Sequence, residues 1–143
     1  MGRLLTQIAT LRLRQGRVEE ARGIWREALD ALRAVDPPSP LDLGRALTGY
    51  GVFLLDSDAP AEAEAPFREA VELLGSVDTP SPDLVGRARA GLGSALERLG
   101  RDAEGRAELV AALESLEAGA GASPEELAHV RSLLEGLADE GGG

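Results

Sequence analysis

Cysteine, lysine and asparagine are absent from this sequence of 143 residues, histidine occurs once, and aromatic residues make up only 3%. Without cysteine there is no disulfide, no thiolate metal site and no cysteine nucleophile. Scarce aromatics leave leucine, alanine and valine to build the core, a composition suited to close helix packing, within an apolar content of 43%. No apolar run approaches the ~18 residues of a membrane span, and no signal-peptide pattern is present, so a soluble, cytoplasmic chain is expected. Nucleic acid is an unlikely class of partner at a net charge of −10, because backbone binding needs a basic footprint that neutralises phosphates. All 15 basic residues are arginine, as in a GC-rich bacterial coding sequence or a deliberately engineered surface.

Against those absences stands a repeat. Gly16, Asp58 and Gly100 share one phase of a step of 42 residues; Ala21, Ala63 and Gly105 share a second, Trp25, Phe67 and Leu109 a third, and Ala28, Ala70 and Ala112 a fourth. The connections keep the same step, with Ser at 39, 81 and 123 and Pro at 40, 82 and 124. A period of this size means stacked supersecondary units, each stabilised by its neighbours. Within a period the apolar residues follow a helical step twice, with a turn signal between. Leu4, Leu5, Ile8 and Leu11 form one face, Gln15-Gly16-Arg17 breaks it, and Val18, Ala21, Ile24, Trp25, Ala28, Leu29 and Leu32 form the next.

Seven helices are predicted, at about 3–15, 18–35, 40–56, 60–76, 82–99, 102–118 and 124–138. Gly16 and Gly100 suit the left-handed conformation that ends a helix. In the second unit, capping side chains in Asp56-Ser57-Asp58, followed by Pro60 at the start of the next helix, are expected to make the same stop. Each new unit opens on a Ser-Pro cap. The expected domain covers 1–138, with repeats of about 1–37, 38–79 and 80–121, a capping helix at 124–138, and a flexible tail at 139–143.

The ladder Ala21/Trp25/Ala28, Ala63/Phe67/Ala70 and Gly105/Leu109/Ala112, with Leu92-Gly93 and Tyr50-Gly51 in first helices, resembles the tetratricopeptide repeat (TPR) family. The 42-residue period, longer than that family's common 34, is similar to its kinesin-light-chain-like branch and bacterial relatives. The resemblance implies an all-α, right-handed α-solenoid of three helical hairpins plus a C-terminal capping helix, with first helices on the concave face. The chain departs from the family at Arg12, Leu54 and Leu96, where a tyrosine is expected. Gly105 replaces an alanine, which is expected to weaken the third hairpin slightly.

Catalysis has little to stand on. His129 has no pattern around it and reads as a solvated surface side chain, while the paired acids sit in first turns, where they favour the helix dipole. Asp56-Ser57-Asp58 lacks the later ligands a cation needs. No enzyme, cofactor or metal is expected. Charge is more informative: the first-helix segments 1–16, 40–58 and 79–100 sum to +2, and the second-helix segments 17–36, 59–78 and 101–119 to −8. Arg3, Arg45 and Arg87 recur at one phase of the concave layer, and Arg14 and Arg98 form a partial row broken by Asp56. Such a row suits bidentate capture of carboxylates. The competing reading is helix-surface ion pairing, Asp42 with Arg45 and Asp83 with Arg87.

The expected function is therefore a protein-interaction scaffold that receives a peptide or partner helix, with an acidic preference, on a concave face including Arg3, Arg45, Thr48, Val52, Arg87 and Ser94. The alternative is a structural or oligomerisation module, a homodimer for example, that docks through the uncapped first helix. That helix carries Leu4, Leu5, Ile8 and Leu11, and exposed apolar patches of this kind mark interfaces.

Overall fold

The computed structural model describes residues 2–141, with side chains described for residues 4–138. Seven helices follow one another: α1 (Gly2–Arg14), α2 (Val18–Arg33), α3 (Pro40–Asp56), α4 (Pro60–Gly75), α5 (Pro82–Arg98), α6 (Asp102–Ala118) and α7 (Pro124–Gly141). α1 with α2, α3 with α4 and α5 with α6 pack as hairpins. The second helix of each lies against the first helix of the next, and α6 packs on α7. The result is an all-α solenoid closed by a capping helix. α7 runs to Gly141, so residues 139–141, read from the sequence as tail, continue the last helix; residues 142–143 lie outside the described residues.

The Ser-Pro starts are borne out. Ser39 accepts a hydrogen bond from the Asp42 N–H and Ser81 one from the Leu84 N–H, each with proline in the first turn. Ser123 forms a full capping box: its Oγ accepts from the Glu126 N–H at 3.2 Å, and its own N–H donates to Glu126 Oε2 at 2.9 Å.

The turns inside the hairpins are more uniform than expected. Gly16 and Gly100 have φ of 75° and 76°, and Asp58 takes the same left-handed region at 58°. In all three, two backbone bonds close the helix end: Gly16 N–H to Leu13 and Arg17 N–H to Arg12, Asp58 to Leu55 and Ala59 to Leu54, Gly100 to Glu97 and Arg101 to Leu96. This is one Schellman motif repeated. The expected capping side chain is present in the second hairpin, where Ser57 Oγ donates to the Phe53 carbonyl at 2.8 Å, but it adds to this backbone motif and does not replace it, and Ala59, at the start of α4, makes no side-chain cap. An L-residue in this conformation carries a steric cost that glycine avoids. Asp58→Gly should therefore raise stability by about 0.5 kcal/mol, part of the gain being lost to the greater freedom of glycine in the unfolded chain. Chemical denaturation checks this, and an unchanged or lowered midpoint would show that Asp58 sits there without strain.

The core is a ladder of small and large side chains. Ala21, Ala63, Ala28, Ala70, Phe67, Leu109 and Ala112 are all buried, and one apolar cluster runs from Ala9 to Leu96, with a second joining Leu109 and Leu116 to Val130 and Leu137. Tyr50 and Phe53 belong to this core. Their rings stack at 6.1 Å, with Trp25 tilted against both. The glycines next to them are steric holes. A Cβ at Gly51 would stand 2.6 Å from the Phe67 ring, and one at Gly49 2.7 Å from the Trp25 ring. Gly105 has a similar role, since its Cβ would meet the Gly93 carbonyl at 3.1 Å and the Glu97 nitrogen at 3.2 Å. The missing methyl brings α5 and α6 into backbone contact, and these two are the most extensively packed helices of the chain. This close approach offsets the helix-propensity cost that the sequence alone suggested.

Candidate interaction groove

Helices α1, α3 and α5 lie side by side, as shown by contacts of α3 with both α1 and α5. The stripe of α3 at 45, 48, 49, 52 and 56 follows the helical steps i, i+3, i+4, i+7 and i+11, so these residues share one face. A cleft of about 390 Å³ opens between α1 and α3, lined by Thr6, Gln7, Thr10, Leu13, Trp25, Gly49, Val52, Phe53 and Asp56. Val52 is the apolar feature of its open side, at 45% exposure. It stands out because its surroundings are small or polar: Thr10 on the facing helix, whose Oγ1 bonds back to the Thr6 carbonyl, and Gly49 one turn away.

Of the predicted groove residues only Val52 lines this cleft. Thr48, one turn before Val52, is half-buried and donates to the Gly44 carbonyl at 2.9 Å, a local bond that leaves its oxygen free to accept. Ser94 is half-buried on α5. Arg45 is exposed, and the expected ion pair with Asp42 does not form among the described residues. The side chain of Arg3 lies outside the described residues.

Arg87 has a different job from the one its phase suggested. Its Nε donates to Glu126 Oε1 at 2.6 Å, and its Nη2 reaches Glu126 Oε2 at 3.2 Å and the Gly121 carbonyl at 3.3 Å. Asp83 accepts the Gly121 N–H at 2.9 Å instead of pairing with Arg87. Arg87 and Asp83 thus fasten the connection to α7 onto α5. Arg98 is also engaged, donating to the Leu55 carbonyl at 2.9 Å across the α3–α5 contact. Of the two arginine rows, Arg45 and Arg14 are the described members without an intrachain partner.

No family model matches the sequence, and no curated protein matches it. Solved structures do match. BtubC (BKLC) from P. vanneervenii superposes at a TM-score of 0.82 and 18% identity over 95% of this chain. The NMR structure of the first TPR domain of the human RPAP3 protein superposes at 0.64 and 22% identity over 97%. The fold is the TPR solenoid. This chain spans about half of BtubC, 54% of its length, and 96% of the RPAP3 domain.

On the second helices of this TPR solenoid the arginines work between repeats. Arg22 on α2 pairs with Glu62 on α4. Further along, Arg33 reaches Glu69 at 2.8 Å, and Arg131 of α7 reaches Glu117 at 2.7 Å. Arg68 and Arg101 together hold Glu64 and Glu104, with contacts from 2.8 to 3.5 Å. Sequence reasoning missed this ladder, in which Arg22–Glu62, Arg33–Glu69 and Arg101–Glu64 join residues 36 to 40 apart. A second cleft of about 330 Å³ lies between these helices, lined by Arg26, Arg33, Leu47, Tyr50, Pro66 and Glu69 among others. His129 is exposed on α7.

The ion pairs shift the carboxylates. Glu126 is held below the usual carboxylate range, first by the Arg87 hydrogen bonds and then by the Ser123 N–H. Glu64 is lowered as well: burial acts to raise it, but the hydrogen bonds and charges of Arg68 and Arg101 outweigh burial. A carboxylate with a depressed folded pKa contributes stability that is present above the unfolded value of about 4.3 and is lost as pH falls through the folded value. The melting temperature should therefore drop below about pH 4.3. Glu126→Gln should melt lower than the native chain at neutral pH, with the gap closing as pH falls through the lowered folded pKa of Glu126, as followed by circular dichroism. A gap that persists in acid would mean that Glu126 acts by shape and not by charge.

Proposed function

We propose that this chain is a non-enzymatic protein-interaction module that receives a peptide or partner helix on the face formed by α1, α3 and α5. TPR solenoids are interaction folds, and this face carries a preformed cleft with an exposed apolar side chain at its rim. The observation that carries the reading is Val52, exposed in a cleft that Thr10 and Gly49 leave open and that Leu13, Trp25 and Phe53 also line. Thr10, Thr48 and Gln7 supply hydrogen-bonding groups to an incoming backbone. The acidic preference rests on Arg45, and on Arg14 at the far end of α1, because Arg87 and Arg98 are satisfied within the chain. Asp56, facing the same cleft, disfavours a carboxylate at that end, so recognition combines one basic anchor with apolar and hydrogen-bond contacts.

Selection of a phage-displayed peptide library against the native chain tests this. Selected peptides should bind about tenfold more weakly to Val52→Glu, as expected for loss of a central anchor. Arg45→Glu should weaken chiefly those peptides that carry Asp or Glu, with a loss that shrinks as salt rises. Both side chains are exposed, so the variants should melt close to the native chain. Equal binding to the native chain and to Val52→Glu would remove the groove from the function.

A further inference from the structure

The cleft of about 330 Å³ between α2 and α4 has residues of α3 as its floor. Arg26, Leu29, Asp30 and Arg33 of α2 line it at the helical steps i, i+3, i+4 and i+7, so they share the face turned to α4. Tyr50 of α3 lines this cleft and not the one between α1 and α3. Its ring packs against Trp25 and Phe53, and the residue is only 8% exposed. Its hydroxyl makes no hydrogen bond among the described residues. Nor is that oxygen sealed off: among the described residues, the unpartnered side-chain polar atoms cut off from solvent are Arg22 Nε, Trp25 Nε1 and Asp83 Oδ1. A buried tyrosine ordinarily finds a partner for its hydroxyl. Here the packed ring holds a free donor at the cleft.

The equivalent place one period later is closed. Leu47 and Pro66, the apolar walls of the cleft, correspond to Arg89 and Glu108, which pair at 2.9 Å across α5 and α6. Tyr50 corresponds to Leu92, which has no polar atom. Arg26 corresponds to Arg68, which is held by Glu64 at 2.9 Å and by Glu104 at 3.5 Å. Neither acid is available to Arg26: the position of Glu64 is occupied in α2 by Arg22, and Glu62, the counterpart of Glu104, is taken by that same Arg22. Arg26 is therefore exposed, with neither an ion pair nor a hydrogen bond among the described residues. The looser first junction agrees with this, since α2 contacts α3 much less extensively than α4 contacts α5.

We propose that this cleft binds a small monocarboxylic acid with an apolar body, its carboxylate held by Arg26 and the Tyr50 hydroxyl and its body resting on Leu29, Leu47 and Pro66. A guanidinium is a donor only and a phenol can donate, so an oxyanion satisfies both at once. The charges around the cleft set its valence. Arg33 is neutralised by two hydrogen bonds to Glu69, at 3.1 and 2.8 Å. Asp30, one turn beyond Arg26, is exposed and unpaired among the described residues. One free cation beside one free acid suits a single negative charge and disfavours a phosphate ester, which carries about −1.5 to −2 at neutral pH. The volume, near the lower end of the range of about 300–1,000 Å³ for small-molecule pockets, suits a body of one ring or a short branched chain. This site is separate from the groove of α1, α3 and α5 and does not depend on it.

The probe is 3-phenylpropionate, titrated into the methyl-labelled full chain at neutral pH. It should produce saturable shifts at Leu29 and Leu47 at millimolar concentrations, as expected of so small a ligand, with Val52 unmoved. The neutral 3-phenylpropionamide should bind about tenfold more weakly, the loss that follows removal of a charge-assisted contact. Arg26→Gln should weaken the acid about fivefold, and Tyr50→Phe, which keeps the packed ring, about threefold. Phenylsuccinate, a dianion, should bind more weakly than the monoacid, and Asp30→Asn should narrow that difference. Absence of saturable shifts at Leu29 and Leu47, shifts centred on Val52, or equal affinity for acid and amide would overturn the proposal. Undiminished binding to Arg26→Gln would do the same, and because that side chain is exposed the variant decides the matter even if Tyr50→Phe melts early. Equal affinity for the monoacid and the diacid would overturn the restriction to one carboxylate.

Discussion

Truncating Phe67 to alanine should lower stability by about 3–5 kcal/mol, the range for loss of a buried ring. Phe67 is fully buried on α4, and its ring fills two holes at once: that of Gly51 in its own hairpin, and that of Gly91 in the next. Neither glycine has a side chain that can move into the space left behind, so the cavity relaxes poorly. The packing that joins the second hairpin to the third should weaken along with the core. Urea denaturation followed by circular dichroism would show a lower midpoint, with a change of slope if the third hairpin begins to unfold separately. A loss of under about 1 kcal/mol would mean that the helices close over the gap, and that Phe67 does not couple the repeats.

The second large effect lies at the hole itself. Gly91→Ala should destabilise by about 1–3 kcal/mol through overpacking, although alanine in a helix interior is ordinarily favoured by about 0.5–1 kcal/mol. The added Cβ falls well inside contact distance of the Phe67 ring. Gly23→Ala is the matched control. Gly23 is exposed on α2 with open space around it, so the same change there should stabilise by about 0.5–1 kcal/mol. Opposite signs from one chemical change would separate packing from propensity. Phe67→Leu combined with Gly91→Ala should be more stable than the sum of the two single losses predicts, because a smaller knob accepts the filled hole. Additivity in that cycle would disprove the knob-and-hole account.

The pattern was partly legible without coordinates. Helix boundaries, Ser-Pro caps and the turns at Gly16 and Gly100 depend on interactions a few residues long, and these are written into adjacent positions. Leu92-Gly93 and Tyr50-Gly51 showed close approach within a hairpin. The glycines at 49 and 91 stand one period apart in the sequence but were assigned nothing there, and only the structure shows that they are holes between hairpins filled by Trp25 and Phe67. Asp58 was read by its side chain, when the backbone conformation shared with its glycine counterparts was the operative property.

By itself the sequence determined an all-α repeat array with a step of 42, its caps and its buried ladder, because a recurring apolar spacing can be satisfied only by stacking equivalent helices. Tertiary structure alone decided which charges are free. Arg45 and Arg87 are equivalent by phase, yet Arg87 is bound by Glu126, which lies 39 residues away and is brought close by the packing of α7. Glu27 and Glu69 are equivalent too, and among the described residues only Glu69 is paired with an arginine. An ion pair needs atoms within about 4 Å, and separations on that scale between distant residues are set by how successive hairpins stack, which no local pattern encodes.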